Sequence, residues 1–180
     1  MTMRRLLASA VGILLTASTL VADPGFHYVP DFEIRPDDYT VLHAAFGNNP
    51  PGVRPWGGTK GHGLWFLFNW QVGDQTTWDV EVLEDGDYAV NVVFLHSLQT
   101  PLEISVSAGT SSCRGAYRPV EGQTWRRVSL DGTVTLPKGK QTIALSMAST
   151  AQEPVQGRVP LFAIELVRPA VKERLHRSAM

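Results

Sequence analysis

Residues 75–96 read QTTWDVEVLEDGDYAVNVVFLH, and their alternation decides the fold. Trp78, Val80 and Val82 fall on one side of an extended chain, with Thr77, Asp79 and Glu81 on the other. A period of two belongs to a strand with one buried face. Glu84-Asp85-Gly86-Asp87 then supplies turn chemistry. After it, Tyr88, Val90, Val92 and Phe94 resume the alternation. The same period recurs at Leu102, Ile104 and Val106, at Ile143, Leu145 and Met147, and at Phe162, Ile164 and Leu166. Turns are marked by Leu130-Asp131-Gly132-Thr133 and Pro137-Lys138-Gly139-Lys140. About eight short strands at this spacing predict an all-β chain folded as a β-sandwich of two antiparallel sheets. Helical periodicity appears only in the charged tail near Val171–Arg177, so 170–180 reads as a short basic tail with helical character.

The rest of the chain bounds what such a sandwich can do. Its 180 residues, 43% hydrophobic and 18% charged, suit one globular domain. Sixteen Gly and twelve Pro without a collagen period fit a fold rich in turns. A formal net charge of −1 prepares no surface for nucleic acid or anionic lipid. Met1–Arg5 is a short basic start, and the largely apolar Leu6–Val21 that follows is shorter than the roughly 20 residues of a spanning helix. With Ala22 ahead of Asp23-Pro24, residues 1–22 read as a secretory signal peptide, the alternative being an uncleaved anchor. The expected layout is a signal over 1–22, a sandwich over 23–169 and the tail. The expected location is secreted or periplasmic, with no membrane association after cleavage. Cys113 is the only cysteine, so no internal disulfide forms, and it reads as a small buried hydrophobe.

Catalytic constellations are missing from the residue pattern. Gly57-Gly58-Thr59-Lys60-Gly61 has the letters of a phosphate loop in the wrong order. No G-x-S-x-G elbow occurs, and the histidines at 27, 43, 62, 96 and 176 lack zinc spacing. Glu81, Glu84, Asp85 and Asp87 fall on a strand and its turn, where water solvates them. Asp31, Glu33, Asp37 and Asp38 are either calcium ligands or an ordinary acidic surface. The chain is therefore read as not an enzyme.

Tryptophan is the distinctive feature. Trp78 shares parity with Val80 and Val82 and belongs to the core. Residues 47–63, GNNPPGVRPWGGTKGHG, are too rich in Gly and Pro for a regular strand, and read as a functional loop or a connector. Trp56 and His62 lie in it, and Trp65 follows. Trp65 and Trp70 fall in LWFLFNW, where both parities are apolar, so one of them is expected at a sheet end. Trp125 has the parity opposite to Arg126, Val128 and Leu130, away from the core set. Exposed aromatic planes accept the C–H faces of sugars, with polar side chains around them for the hydroxyls. Trp125, Trp56, Trp65, Trp70 and His62 are the candidate carbohydrate-binding residues.

These residues also carry a resemblance. Phe68-Asn69-Trp70-Gln71-Val72-Gly73-Asp74, running on to Trp78-Asp79-Val80-Glu81-Val82 and Gly86-Asp87-Tyr88-Ala89-Val90, is similar to a segment of galactose-binding-like jelly-roll modules. The related groups are the family 6 and family 35 carbohydrate-binding modules and accessory domains of fucosidase-like enzymes. Gly122-Gln123-Thr124-Trp125 looks like their "T-G-x-W", and Gly132–Leu136 with Pro137–Leu145 resembles their "G-x-V-x-L-x-x-G-x-x-x-L-x-L". The likeness spans roughly Phe32 to Pro169. It implies a jelly-roll sandwich, a structural calcium ion and a sugar site in the loops at one end, lined by Trp125 with Trp56 or Trp65 as second wall. Ile34–Tyr39 departs from the family's early "A-E" pair, and Val155–Val159 lacks its Asn before the final strand. The exit Glu165–Leu175 looks like the lead from such modules into a glycoside-hydrolase-like catalytic domain. The leading expectation is a secreted, non-catalytic module for a poly- or oligosaccharide. The alternative is a structural or protein-interaction sandwich, an accessory domain separated from a catalytic partner.

Overall fold

The computed structural model describes residues 32–37, 39–57, 65–95, 101–119, 125–149 and 159–178, so the proposed signal segment lies outside the described residues. In chain order the strands are β1 (Phe32–Ile34), β2 (Thr40–His43), β3 (Arg54–Gly57), β4 (Trp65–Phe68), β5 (Gln75–Val82) and β6 (Gly86–Leu95). Then come β7 (Leu102–Ala108), β8 (Ser111–Tyr117), β9 (Trp125–Ser129), β10 (Val134–Leu136), β11 (Gly139–Ser149) and β12 (Leu161–Val167). A single 3-10 turn, Ala44–Phe46, follows β2, and one helix, α1 (Pro169–Ser178), closes the described chain. Pro169 opens α1, where its fixed φ is helical and its missing N–H would have had no partner.

The stretch that decides the fold is β5, its turn and β6, a connection that passes from one sheet to the other. One sheet runs β1-β5-β11-β7-β8. The other runs β10-β6-β12-β2, with β9 also against β6. β10 covers the first part of that edge of β6 (Gly86–Tyr88) and β9 the last (Asn91–Leu95). The alternating apolar sets meet between the sheets: Trp78, Val82, Ile104, Leu145 and Met147 from one, Leu42, Val90, Phe94 and Leu166 from the other, all buried. Each such side chain contributes roughly 1.5–3 kcal/mol by leaving water. The expected β-sandwich is what forms.

Three expectations need correction. β1 runs parallel to β5, so the first sheet is not wholly antiparallel. Phe162 does not share the buried face of Ile164 and Leu166, because the register of β12 on β6 shifts between Leu161 and Ala163. That bulge turns Phe162 to the outside, edge-on to His43 at 5.0 Å. Finally, Arg54–Gly57, inside the Gly- and Pro-rich stretch, is a strand after all: β3 pairs with β4 as a separate two-stranded ribbon. Pro55 is tolerated because, among the described residues, β3 pairs only with β4 and so has a free edge.

Arg168 fixes the exit from β12. Its guanidinium donates to Glu84 Oε1 (3.0 Å) and to the Asp85 carbonyl (2.6 Å), over the Tyr88 ring. Gly86, the first residue of β6, lets that guanidinium pass close by: a Cβ there would sit 2.8 Å from it and the arginine would have to shift. This marks one end of the sandwich.

Candidate functional site

Strand register defines the opposite end. Gln75, the first residue of β5, pairs with Ser146, and β11 runs on to Ser149 beside Leu102. Leu102 also pairs with Tyr117, the last residue of β8. In the second sheet Leu95 ends β6 opposite Trp125, Phe94 faces Leu161, and Ala163 faces His43. The 3-10 turn continues from His43, and the ribbon packs on that turn and on β12. Past β4, the Trp70 carbonyl accepts the Val159 N–H (2.9 Å), just ahead of β12.

The nominated tryptophans therefore separate. Trp125 opens β9, while Trp56 and Trp65 lie on the ribbon in adjacent cross-strand pairs, Trp56 opposite Phe66 and Trp65 opposite Gly57. The backbones of all three are thus at one end of the sandwich, though their side chains lie outside the description. His62 lies outside the described residues altogether. Trp70 is not a surface residue: it is fully buried, and its Nε1–H donates to Thr76 Oγ1 (3.0 Å). With both parities of LWFLFNW apolar, alternation had no power to tell Trp65 from Trp70. Trp78 is core as expected, its Nε1–H given to the His43 carbonyl (2.9 Å).

A polar cluster that alternation alone did not expose lies on the outer side of the second sheet, beside β9. Glu165 Oε2 accepts from Tyr39 Oη (2.5 Å), Arg127 Nε (2.7 Å) and Asn91 Nδ2 (3.2 Å). Asn91 Oδ1 accepts from Ser129 Oγ (2.7 Å), and the Arg127 guanidinium lies 5.5 Å from the Tyr39 ring centroid. Asn91 is buried and Glu165 is nearly so, whereas Arg127 is exposed and lies two residues after Trp125. These bonds hold the exposed guanidinium of Arg127 beside the half-buried phenol ring of Tyr39. Polar positions on a strand's outer face look like solvated surface in a sequence. The register that joins residues 39, 91, 127, 129 and 165 is tertiary.

Other chemistry is modest. Arg126, on the inner side of β9, is buried, donates to Tyr117 Oη (3.4 Å) and lies over that ring, itself edge-on to Phe94. Burial keeps His43 below its ordinary pKa, between the edges of Phe46 and Phe162. Cys113 is buried as expected, and burial pushes its thiol up to about 11. Among the described residues no three His, Cys, Asp or Glu side chains gather as metal ligands. Of the early carboxylates, Glu33 is paired with exposed Arg35 (2.9 Å) and Asp37 lies in the turn after β1. Asp31 and Asp38 lie outside the described residues. No described helix is long and apolar enough to cross a membrane.

No protein-family model and no curated protein matches the sequence. Solved structures do match the fold. The mosquito-larvicidal Cry4Aa toxin of Bacillus thuringiensis is similar over 76% of this chain and 24% of its own (TM-score 0.58, 12% identity). A Podospora anserina GH26-CBM35 β-(1,4)-mannanase is similar over 73% of this chain and 28% of its own (TM-score 0.53, 16% identity). A carbohydrate-binding module, CBM6cm-2, from Cellvibrio mixtus lichenase 5A, solved with cellotriose, is similar over 72% of this chain and 96% of its own (TM-score 0.51, 18% identity). The chain shares a jelly-roll fold with these structures. The chain spans only about a quarter of the toxin and of the mannanase but accounts for nearly all of the isolated module.

Proposed function

We propose that this chain is an exported, non-catalytic module that binds a poly- or oligosaccharide, with sugar rings stacked on Trp125, Trp56 and Trp65 and with His62 at the rim. One observation carries the reading: the pairing of β9 with the end of β6, and the packing of the β3–β4 ribbon on the 3-10 turn and β12, bring the backbones of these three tryptophans to one end of a jelly roll like that of a carbohydrate-binding module. Trp70 leaves the set, since a fully buried indole offers no face to a ligand. A hydrated polar ligand gripped by two aromatic planes should bind in the micromolar to millimolar range, about −4 to −8 kcal/mol. A glycoside-hydrolase-like domain is the natural partner, because a weak binder is most useful where it raises the local concentration of a tethered enzyme.

The test is binding to a panel of immobilised glycans, with calcium and with a chelator, for the wild-type chain and for Trp56→Ala, Trp65→Ala and Trp125→Ala. Loss of binding to one sugar class, with unfolding midpoints unchanged, supports the reading. A second placement is favoured by the Tyr39–Arg127–Glu165 cluster, since it sets an aromatic ring beside an exposed guanidinium on the outer side of the second sheet. Arg127→Ala would then abolish binding while the tryptophan variants keep it. Silence across the panel from a folded protein would instead favour the interaction sandwich, with a partner domain covering the tryptophans.

A further inference from the structure

Among the described residues the two-stranded ribbon shares no strand pairing with either sheet, yet it carries two of the three candidate aromatics. What holds it is found where its ends enter the sandwich. The chain comes in through Gly47-Asn48-Asn49. Gly47 lies so close to β5 that a Cβ there would meet Thr76 Cγ2 at 2.7 Å and the Thr77 carbonyl at 2.9 Å. Asn48 forms a two-way backbone bridge with Thr77, N–H to carbonyl at 2.7 and 3.1 Å. Asn49 turns its amide back onto the 3-10 turn, its Nδ2 donating to the carbonyls of Ala44 (3.1 Å) and Gly47 (2.9 Å). The chain leaves through Asn69, whose φ of 67° is a left-handed conformation that Asn tolerates better than most residues, and so delivers Trp70 into the core.

Both ends meet on one atom. Thr76 Oγ1 accepts from Trp70 Nε1 (3.0 Å) on the outgoing side and donates to Asn49 Oδ1 (2.8 Å) on the incoming side. Thr76 is itself fully buried, so water cannot substitute for either partner. A hydroxyl is the smallest group that both donates and accepts, which makes threonine at this core position a specific choice where valine would pack as well.

We infer that Thr76 is a positioning residue: its hydroxyl clasps the two ends of the β3–β4 ribbon and thereby sets where Trp56 and Trp65 stand at the binding end. This deepens the carbohydrate-binding reading and rests on it for the affinity arm of the test. Trp70, nominated by sequence as a ligand contact, acts instead as the outgoing half of the clasp. The ribbon is held in place before any ligand arrives, so little ordering is left for binding to supply.

The experiment compares the full wild-type chain with Thr76→Val, Thr76→Ser and Trp70→Phe. It follows amide hydrogen exchange, the urea midpoint and affinity for whichever glycan the wild type binds. Thr76→Val keeps the shape and removes both bonds. It should speed exchange at the ribbon amides of residues 53, 54, 56, 57 and 65–68 about tenfold or more, with those of β6, β7 and β11 little changed, and weaken glycan binding about tenfold. Thr76→Ser keeps the hydroxyl and should restore both. Trp70→Phe removes one bond, giving a smaller change confined to the same amides, and serves if the valine variant does not fold. Unchanged ribbon exchange in Thr76→Val, or exchange rising uniformly through the sandwich, overturns the clasp. If no glycan binds even the wild type, the functional reading fails, while ribbon exchange still decides the clasp.

Discussion

Gly47→Ala should be among the most damaging single-methyl additions available to this protein. The added Cβ would lie 2.7 Å from Thr76 Cγ2, 2.9 Å from the Thr77 carbonyl oxygen and 3.0 Å from Trp78 Nε1. Carbon atoms prefer separations of about 3.5–4.0 Å, so the overlap is close to an ångström. Thr76 is buried and the carbonyl belongs to the bridge with Asn48, so neither can step aside. Relief requires the 43–49 segment to lift from β5. Overpacking of this kind costs about 1–3 kcal/mol. Lifting the segment also strips Trp78 Nε1 of its bond to the His43 carbonyl, orphaning a buried donor for about 1–3 kcal/mol more. The sum, roughly 2–6 kcal/mol, is a large part of a typical domain's stability. Urea unfolding followed by tryptophan fluorescence gives the midpoint and slope. Gly52→Ala is the control: its φ of 87° makes alanine strained, but no atom lies within 4 Å of its Cβ, so about 1–2 kcal/mol is expected. If Gly47→Ala loses less than Gly52→Ala, the close crossing of 47 over β5 is wrong.

Two further outcomes follow from burial. His43 is held below its ordinary pKa of 6.5 by desolvation, so between the lowered value and 6.5 the unfolded chain binds more protons than the folded one. Its contribution to stability is therefore present above pH 6.5 and lost as pH falls through that window. The urea midpoint of the wild type minus that of His43→Phe should decline on acidification from about pH 8 to about pH 5, and a flat or rising difference would refute this. Cys113, with its thiol at about 11 and its side chain buried, holds only about one thiolate in a thousand at pH 8. A disulfide reagent should label it only on unfolding, and rapid labelling of the native protein would contradict its place on β8.

The strands were legible because their information is local. In β5, β7 and β11 a residue's neighbour two places away already says which side meets the core, so Trp78, Ile104 and Leu145 could be assigned before any partner strand was known. The pattern failed where a local rule is overridden. The bulge in β12 shifts parity at Phe162, and the ribbon places a proline in a strand that, among the described residues, has no partner on its outer edge to call for an N–H. Trp70 failed for a different reason: in a segment apolar on both sides, burial is chosen by what lies opposite, here the Thr76 hydroxyl.

The amino-acid sequence by itself determined a β-sandwich with a buried, unpaired cysteine and a surplus of tryptophan, since hydrophobic period and turn chemistry act over a few residues. Only the tertiary structure decided which tryptophan is buried and which strands carry the others to one end. It alone brought Tyr39, Asn91, Arg127 and Glu165 onto one patch, and Asn49 and Trp70 onto one hydroxyl. Those choices depend on register between strands far apart in the chain, where hydrogen bonds and close contacts discriminate and the alternation of a single strand is silent.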